Sequence, residues 1–186
     1  MVSNATLTVG GQILFNVAGS YAPATLNDLE LGTATDVAFD LTSVAAAEAE
    51  ASAKADLGAN WAQTYAVHAA IEMAVAPVTG TVFEFYWAPS VQSVAGAGNP
   101  GYVSGSSAAY TGTPGTLAEG LKQLQPIGVL VMGADATGTI QVGWVANFHP
   151  TTRHGCLVVR NLTAQATHND AVEQAVSFTP VIPQGS

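Results

Sequence analysis

Five side chains in the C-terminal quarter of this 186-residue chain are of types that bind metal ions. They are His149, His154, Cys156, His168 and Asp170. Protein zinc sites place their Cys and His ligands at short, regular spacings, and these residues follow no such pattern. Cys156 is followed by Leu-Val-Val, an apolar run in which a buried thiol is expected. We therefore predict neither a metal nor a cofactor, and interpret the others as polar residues near strand ends.

A glycine pattern in the middle of the chain has the form of a nucleotide-binding motif. Gly96-Ala-Gly-Asn-Pro-Gly101 matches the G-x-G-x-x-G fingerprint of dinucleotide-binding proteins. The fingerprint works only where a helix follows, because the helix N-terminus receives the pyrophosphate. Pro100 and the Tyr-Val-Ser-Gly that comes after the motif argue against a helix, so we predict a loop.

Catalytic groups are not brought together by any pattern in the sequence. The chain has no Gly-x-Ser-x-Gly motif, which places a nucleophile on a sharp turn in many hydrolases. Glu72 and Glu84 fall on neighbouring predicted strands, as the two carboxylates of a glycosidase can. Both alternate with apolar residues, so we expect them on the solvent side of a sheet. The sequence therefore predicts that the protein is not an enzyme.

Charged residues are scarce and mostly acidic. They make up 9% of the chain, whereas a soluble domain carries about a quarter. The net charge is −9, and the four basic residues, Lys54, Lys122, Arg153 and Arg160, are scattered. Phosphate backbones and anionic membranes bind clustered basic residues, so we expect neither nucleic acid nor a membrane as partner. Scarce charge favours a surface covered by protein partners, the alternative being a neutral coat of Ser and Thr.

The elements that position these residues are predicted to be β-strands, because apolar residues recur with a period of two. Over residues 139–149 the alternation places Val142, Trp144 and Phe148 on one face, so Trp144 is predicted to lie in the core. The Ala-rich residues 43–57 fit a loop or short helical turn followed by a strand. Further strands are predicted within residues 37–41, 67–75, 81–88, 127–133, 155–162 and 171–181.

Turn-forming residues separate these strands at positions 76–80, 135–138 and 150–155. Short strands joined in this way, without long helices between them, indicate an antiparallel sandwich or barrel. We predict an all-β fold, an antiparallel jelly-roll-like β-sandwich over residues 36–186. Residues 1–35 are expected to form an N-terminal arm or accessory strands.

Residues 96–120 form the longest irregular segment and are rich in Gly, Ser, Pro and Tyr. No charged residue occurs between Glu84 and Glu119. Long loops in compact domains usually have a function, often contact with a partner. We predict that four residues of this loop contact partners and that its two tyrosines are exposed. These residues are Asn99, Pro100, Tyr102 and Tyr110.

Several segments, taken together, resemble a group of tailed-bacteriophage virion proteins. The resemblance covers roughly residues 50–182, and the shared motifs are structural, without catalytic meaning. The segments are Ser52-Ala-Lys-Ala-Asp-Leu-Gly58, Phe85-Tyr-Trp-Ala-Pro-Ser90, Gly98-Asn-Pro-Gly101, Ala108-Ala-Tyr-Thr-Gly112, Gln123-Leu-Gln-Pro-Ile-Gly128 and His168-Asn-Asp-Ala-Val-Glu173.

This resemblance implies a jelly-roll virion structural protein of the capsid decoration (cement) type. It implies a homo-oligomer, for instance a trimer, that contacts copies of itself and the major capsid protein on the capsid exterior. The chain begins without the basic segment of a signal peptide, so synthesis in the host cytoplasm is expected. Two alternatives stay open: a tail or connector component, and a carbohydrate-binding, host-recognition module that uses exposed Trp61, Tyr102 and Tyr110.

Overall fold

The structure is a computed structural model that describes residues 10–133 and 140–181. It confirms the predicted all-β fold, because two sheets pack together as a sandwich. Sheet A has the order β2-β1-β11-β5-β9, with β1 (Ile13–Asn16), β2 (Thr35–Ala38), β5 (Tyr65–Glu72), β9 (Ile140–Phe148) and β11 (Ala175–Pro180). Sheet B has the order β7-β3-β10-β6-β8, with β3 (Ala49–Ala51), β6 (Val82–Ser90), β7 (Ala108–Ala109), β8 (Gln125–Val131) and β10 (His154–Asn161). The short β4 (Ala55–Asp56) also pairs with β10.

Eight of these strands are connected as a jelly roll. The rows β1-β11-β5-β9 and β3-β10-β6-β8 are antiparallel throughout, and the chain crosses repeatedly between the two sheets. Two Greek keys folded face to face give this order. The remaining strands add to the margins: β2 pairs in parallel with β1, and β7 pairs with β3. The predicted turn at 135–138 and residues 1–9 of the predicted arm lie outside the described residues.

The core between the sheets is built around Phe178 on β11. Its ring centroid lies 4.9 Å from that of Phe15, 5.7 Å from Trp87 and 5.6 Å from Phe148. All four side chains are buried, with at most 3% of their surface exposed. Strands from the beginning, middle and end of the chain therefore meet in one aromatic cluster, and β1, from the first 35 residues, contributes to it.

A β-bulge in β9 reverses which residues of that strand face the core. Val67 of β5 pairs with Ala146, but the next residue, His68, pairs with Trp144, so Val145 is the extra residue. Val145 is 6% exposed and Trp144 is 59% exposed. The prediction that Trp144 lies in the core is therefore wrong, because the alternation holds only as far as the bulge.

Residues 43–57 form turns followed by β3 and β4, as the loop-then-strand prediction requires. Within the described ranges the α-helix is limited to α1 (Leu117–Leu121). Thr116 caps it: its hydroxyl accepts from the Glu119 N–H, while the Glu119 carboxylate accepts from the Thr116 N–H. No helix in the described residues is long and apolar enough to cross a membrane.

Candidate functional site

The most exposed apolar strand surface lies on β8 and β9, which are the last strands of sheet B and sheet A and contact each other. We call these two strands the β8–β9 edge. Four of its side chains point outward: Val129 is 45% exposed, Val131 60%, Val142 43% and Trp144 59%. Neither strand contains a charged residue. The unpaired outer side of an edge strand offers free N–H and C=O groups to another chain.

Proteins usually protect such edges with prolines, bulges or lysines. Here the protection covers only half of the β8–β9 edge. β8 has Pro126 near its start and a break in register next to it, and β9 has the bulge at Val145. The opposite ends of both strands, which carry Val131 and Val142, are regular and uncharged. This part of the edge therefore lacks the features that usually protect an edge strand.

The long loop of residues 96–120 is mostly a cover over sheet B. Tyr110 is 3% exposed and packs with Val103 and Leu124 in a second, smaller core. Its hydroxyl donates to the Gly101 carbonyl at 2.5 Å. The prediction that Tyr110 is exposed is wrong, because the sheet below the loop presents its own apolar face, which needs covering.

The other predicted contact residues of the loop differ in exposure. Tyr102 is 51% exposed, while Asn99 and Pro100 are half-buried. The Asn99 amide donates to the carbonyls of Ala95 and Val103, at 2.8 and 2.9 Å, and so closes the loop on itself. A single 3-10 turn, Pro100–Tyr102, overlaps the end of the glycine pattern, and no α-helix begins there, as predicted.

A partly buried ammonium group, that of Lys54, holds the start of the same loop. Lys54 Nζ donates to Ser90 Oγ at 2.9 Å and to the carbonyls of Gln92, Val94 and Ala97 at 3.1, 2.7 and 2.6 Å. Burial lowers the pKa of Lys54. These contacts hold the chain around the ammonium and leave it without a free donor for a ligand.

Of the five possible metal ligands, His168 and Asp170 lie together, and Glu72 joins them, with one ligand atom of each within 4.8 Å of the others. His168 Nδ1 lies 3.4 Å from the Glu72 carboxylate. Glu72 is 8% exposed, and burial raises its pKa. The prediction that Glu72 faces solvent is wrong, because the loop after β10 covers the end of β5.

Glu84 is on sheet B and Glu72 is on sheet A, so the two glutamates form no glycosidase pair.

The remaining candidates have structural contacts. His149 Nδ1 contacts Thr64 Oγ1 at 3.0 Å, and burial raises the pKa of Cys156 to about 11, which keeps the thiol protonated. Asp56 accepts two bonds from Arg153, both 2.6 Å long. These bonds lower the pKa of Asp56 to about 2. His154 Nε2 lies 3.6 Å from the same carboxylate.

The β8–β9 edge was not among the predicted contact residues, although the sequence contains a signal of it. Between Lys122 and Arg153 the chain has one charged residue, Asp135. This nearly uncharged run contains both edge strands, so it marks the surface that the structure leaves exposed.

Comparison of the chain with family models, with curated proteins and with solved structures finds no match.

Proposed function

We propose that this protein is a non-enzymatic structural protein that works by assembly, with the β8–β9 edge as its contact surface. The observation that carries the proposal is the exposure of Val131, Val142 and Trp144 on two uncharged edge strands. A monomer that exposes regular, apolar edges is prone to pair with other chains, and native proteins use such edges as interfaces or protect them. The first partner is a second copy of the same chain.

The assembly that fits best is a phage capsid, on which the protein acts as a decoration (cement) protein. The jelly-roll fold and the resemblance to tailed-phage virion proteins support this class. A shell offers many identical sites, so contacts that are individually weak and uncharged add up to stable attachment. In this proposal the protein forms a homo-oligomer, for instance a trimer, and contacts the major capsid protein on the capsid exterior.

The self-association part of the proposal is tested with Trp144→Lys. A lysine on the exposed face of β9 places a charge in the contact and leaves the core untouched. We expect the wild-type protein to sediment as an oligomer and the variant as a monomer, with unchanged circular dichroism. Val91→Lys is the matched control, because Val91 is 79% exposed and follows the end of β6 opposite to Val82, the residue that pairs with Val131. A monomeric wild-type protein, or equal dissociation of both variants, contradicts the proposal.

The place in the virion is tested on purified particles. Hundreds of copies per particle, with density on the outside of the shell, support the decoration role. A few to a few dozen copies indicate a tail or connector component, and absence from particles rejects a virion role altogether.

A carbohydrate-binding module is the second candidate, favoured by the exposure of Trp144 (59%) and Tyr102 (51%). Exposed aromatic rings stack on sugars. A glycan array decides between the two functions: binding that Trp144→Ala or Tyr102→Ala abolishes supports sugar recognition, and no binding removes it.

A further inference from the structure

A cavity of about 400 Å³ lies on the outer face of sheet B, beside α1. Its apolar walls are formed by Leu121, Leu124, Pro126 and the ring of Tyr86, and Arg160 and Lys122 also line it. Small-molecule sites in proteins have volumes from about 300 Å³ upward and combine apolar walls with a few polar groups. The cavity has this composition.

The basic residues of the chain divide into two kinds. Lys54 and Arg153 use their donors in the contacts described above. Lys54 donates to four oxygens, and Arg153 binds the Asp56 carboxylate through two hydrogen bonds. Arg160 and Lys122 donate no side-chain hydrogen bond to any residue in the described parts of the chain. In a protein with a net charge of −9, the two basic residues without such bonds therefore share one cavity.

The guanidinium of Arg160 is held in position but donates no hydrogen bond to a described residue. Its side chain is 28% exposed, and its Nε is buried without an acceptor in the part of the chain that the structure describes. The carboxylate of Glu84, opposite it on β6, lies 3.6 Å from Nη1, too far for a hydrogen bond. The Tyr86 hydroxyl donates to that carboxylate at 2.8 Å and fixes its position. The exposed part of the guanidinium lines the cavity, so its donors that no described residue uses are available to an anion bound there.

From this geometry we infer that the cavity binds a monocarboxylate with an apolar carbon skeleton. The planar guanidinium matches a carboxylate in shape, and Lys122 adds a second positive charge. Glu84 leaves the cavity with one net positive charge, which suits a monoanion better than a phosphate dianion. A free aliphatic acid and the C-terminal residue of a polypeptide both have this chemistry. The inference does not depend on the proposed function: Pro126 of β8 lines the cavity, but Val131, Val142 and Trp144, the exposed side chains proposed for self-association, do not.

The experiment uses the two arginines of the chain. In a ¹H–¹⁵N spectrum the Nε–H groups give one signal for Arg160 and one for Arg153, which serves as internal control. N-acetyl-leucine, a mimic of a polypeptide C-terminus, and hexanoate, a free acid, are the two probes. We expect at least one of them to shift the Arg160 signal saturably and leave the Arg153 signal in place. The probe that binds more tightly identifies the source of the carboxylate.

N-acetyl-leucinamide keeps the apolar skeleton and lacks the charge, so it should bind about tenfold more weakly or not at all.

Single variants test the two basic residues. The dissociation constant should rise about tenfold in Arg160→Gln and should also rise in Lys122→Gln. It should not change in Arg153→Gln. Lys122 is exposed, so its variant keeps the test valid should Arg160→Gln fail to fold. Absence of a saturable shift with both acids, an equal shift with the amide or with inorganic phosphate, or unchanged affinity in the Lys122 variant overturns the inference.

Discussion

At the scale of single residues, the polar groups of this protein act mainly on its own backbone. Lys54 and Asn99 close the loop that covers sheet B, and Tyr110 fastens that loop to Gly101. None of the three roles can be derived from the sequence, because each depends on which backbone carbonyls a loop brings near. Tyr102 and Tyr110 have the same side chain in the same loop and opposite exposure.

The two tyrosines provide a matched test of this difference. Tyr110→Phe removes a buried hydrogen bond and leaves the Gly101 carbonyl without its partner, so we expect a loss of about 1–2 kcal/mol in the free energy of unfolding. Tyr102→Phe changes an exposed hydroxyl and should cost less than about 0.5 kcal/mol. Urea unfolding measures both values. Equal losses would show that the loop does not depend on the Tyr110 bond.

At the scale of elements, the period of two predicts the strands and misses the bulge. The strand segments follow from composition and turn residues, and each predicted strand in the described ranges is present. The face of β9 does not follow, because one extra residue at Val145 costs little locally and is set by pairing with β5. The exposure of Trp144, and with it the candidate contact surface, was therefore beyond sequence analysis. In the sequence, the surface is marked only by the scarcity of charge between Lys122 and Arg153, where Asp135 is the one charged residue.

One substitution made at two valines of β9 tests the bulge. Valine and threonine have nearly the same shape, so the change mainly adds a hydroxyl. Val145→Thr places it in the core, and we expect a loss of about 1–3 kcal/mol in unfolding free energy. Val142→Thr places it on the 43%-exposed face and should cost less than about 0.5 kcal/mol. Uninterrupted alternation predicts the reverse order, so thermal or urea unfolding of the two variants decides between the two arrangements.

At the scale of the whole molecule, charge and shape divide the surface into regions with different roles. The acidic residues lie elsewhere on the chain, while strands β8 and β9 carry no charge of either sign. In the proposed assembly, long-range repulsion from a net charge of −9 therefore opposes a short-range apolar contact between copies that is itself uncharged. The strength of self-association is set by the difference between the two.

This balance predicts how self-association responds to salt. The Debye length, which is the range over which exposed charges interact, falls from about 30 Å at 0.01 M salt to about 3 Å at 1 M. Added NaCl therefore removes the repulsion between copies and leaves the apolar contact in place. We expect the dissociation constant of the oligomer to fall by at least about threefold between 0.02 and 0.5 M NaCl, measured by sedimentation equilibrium. Trp144→Lys should remain monomeric across that range, because salt does not restore the lost contact. An interface held by ion pairs would weaken as salt is added, and that result would place the contact away from the β8–β9 edge.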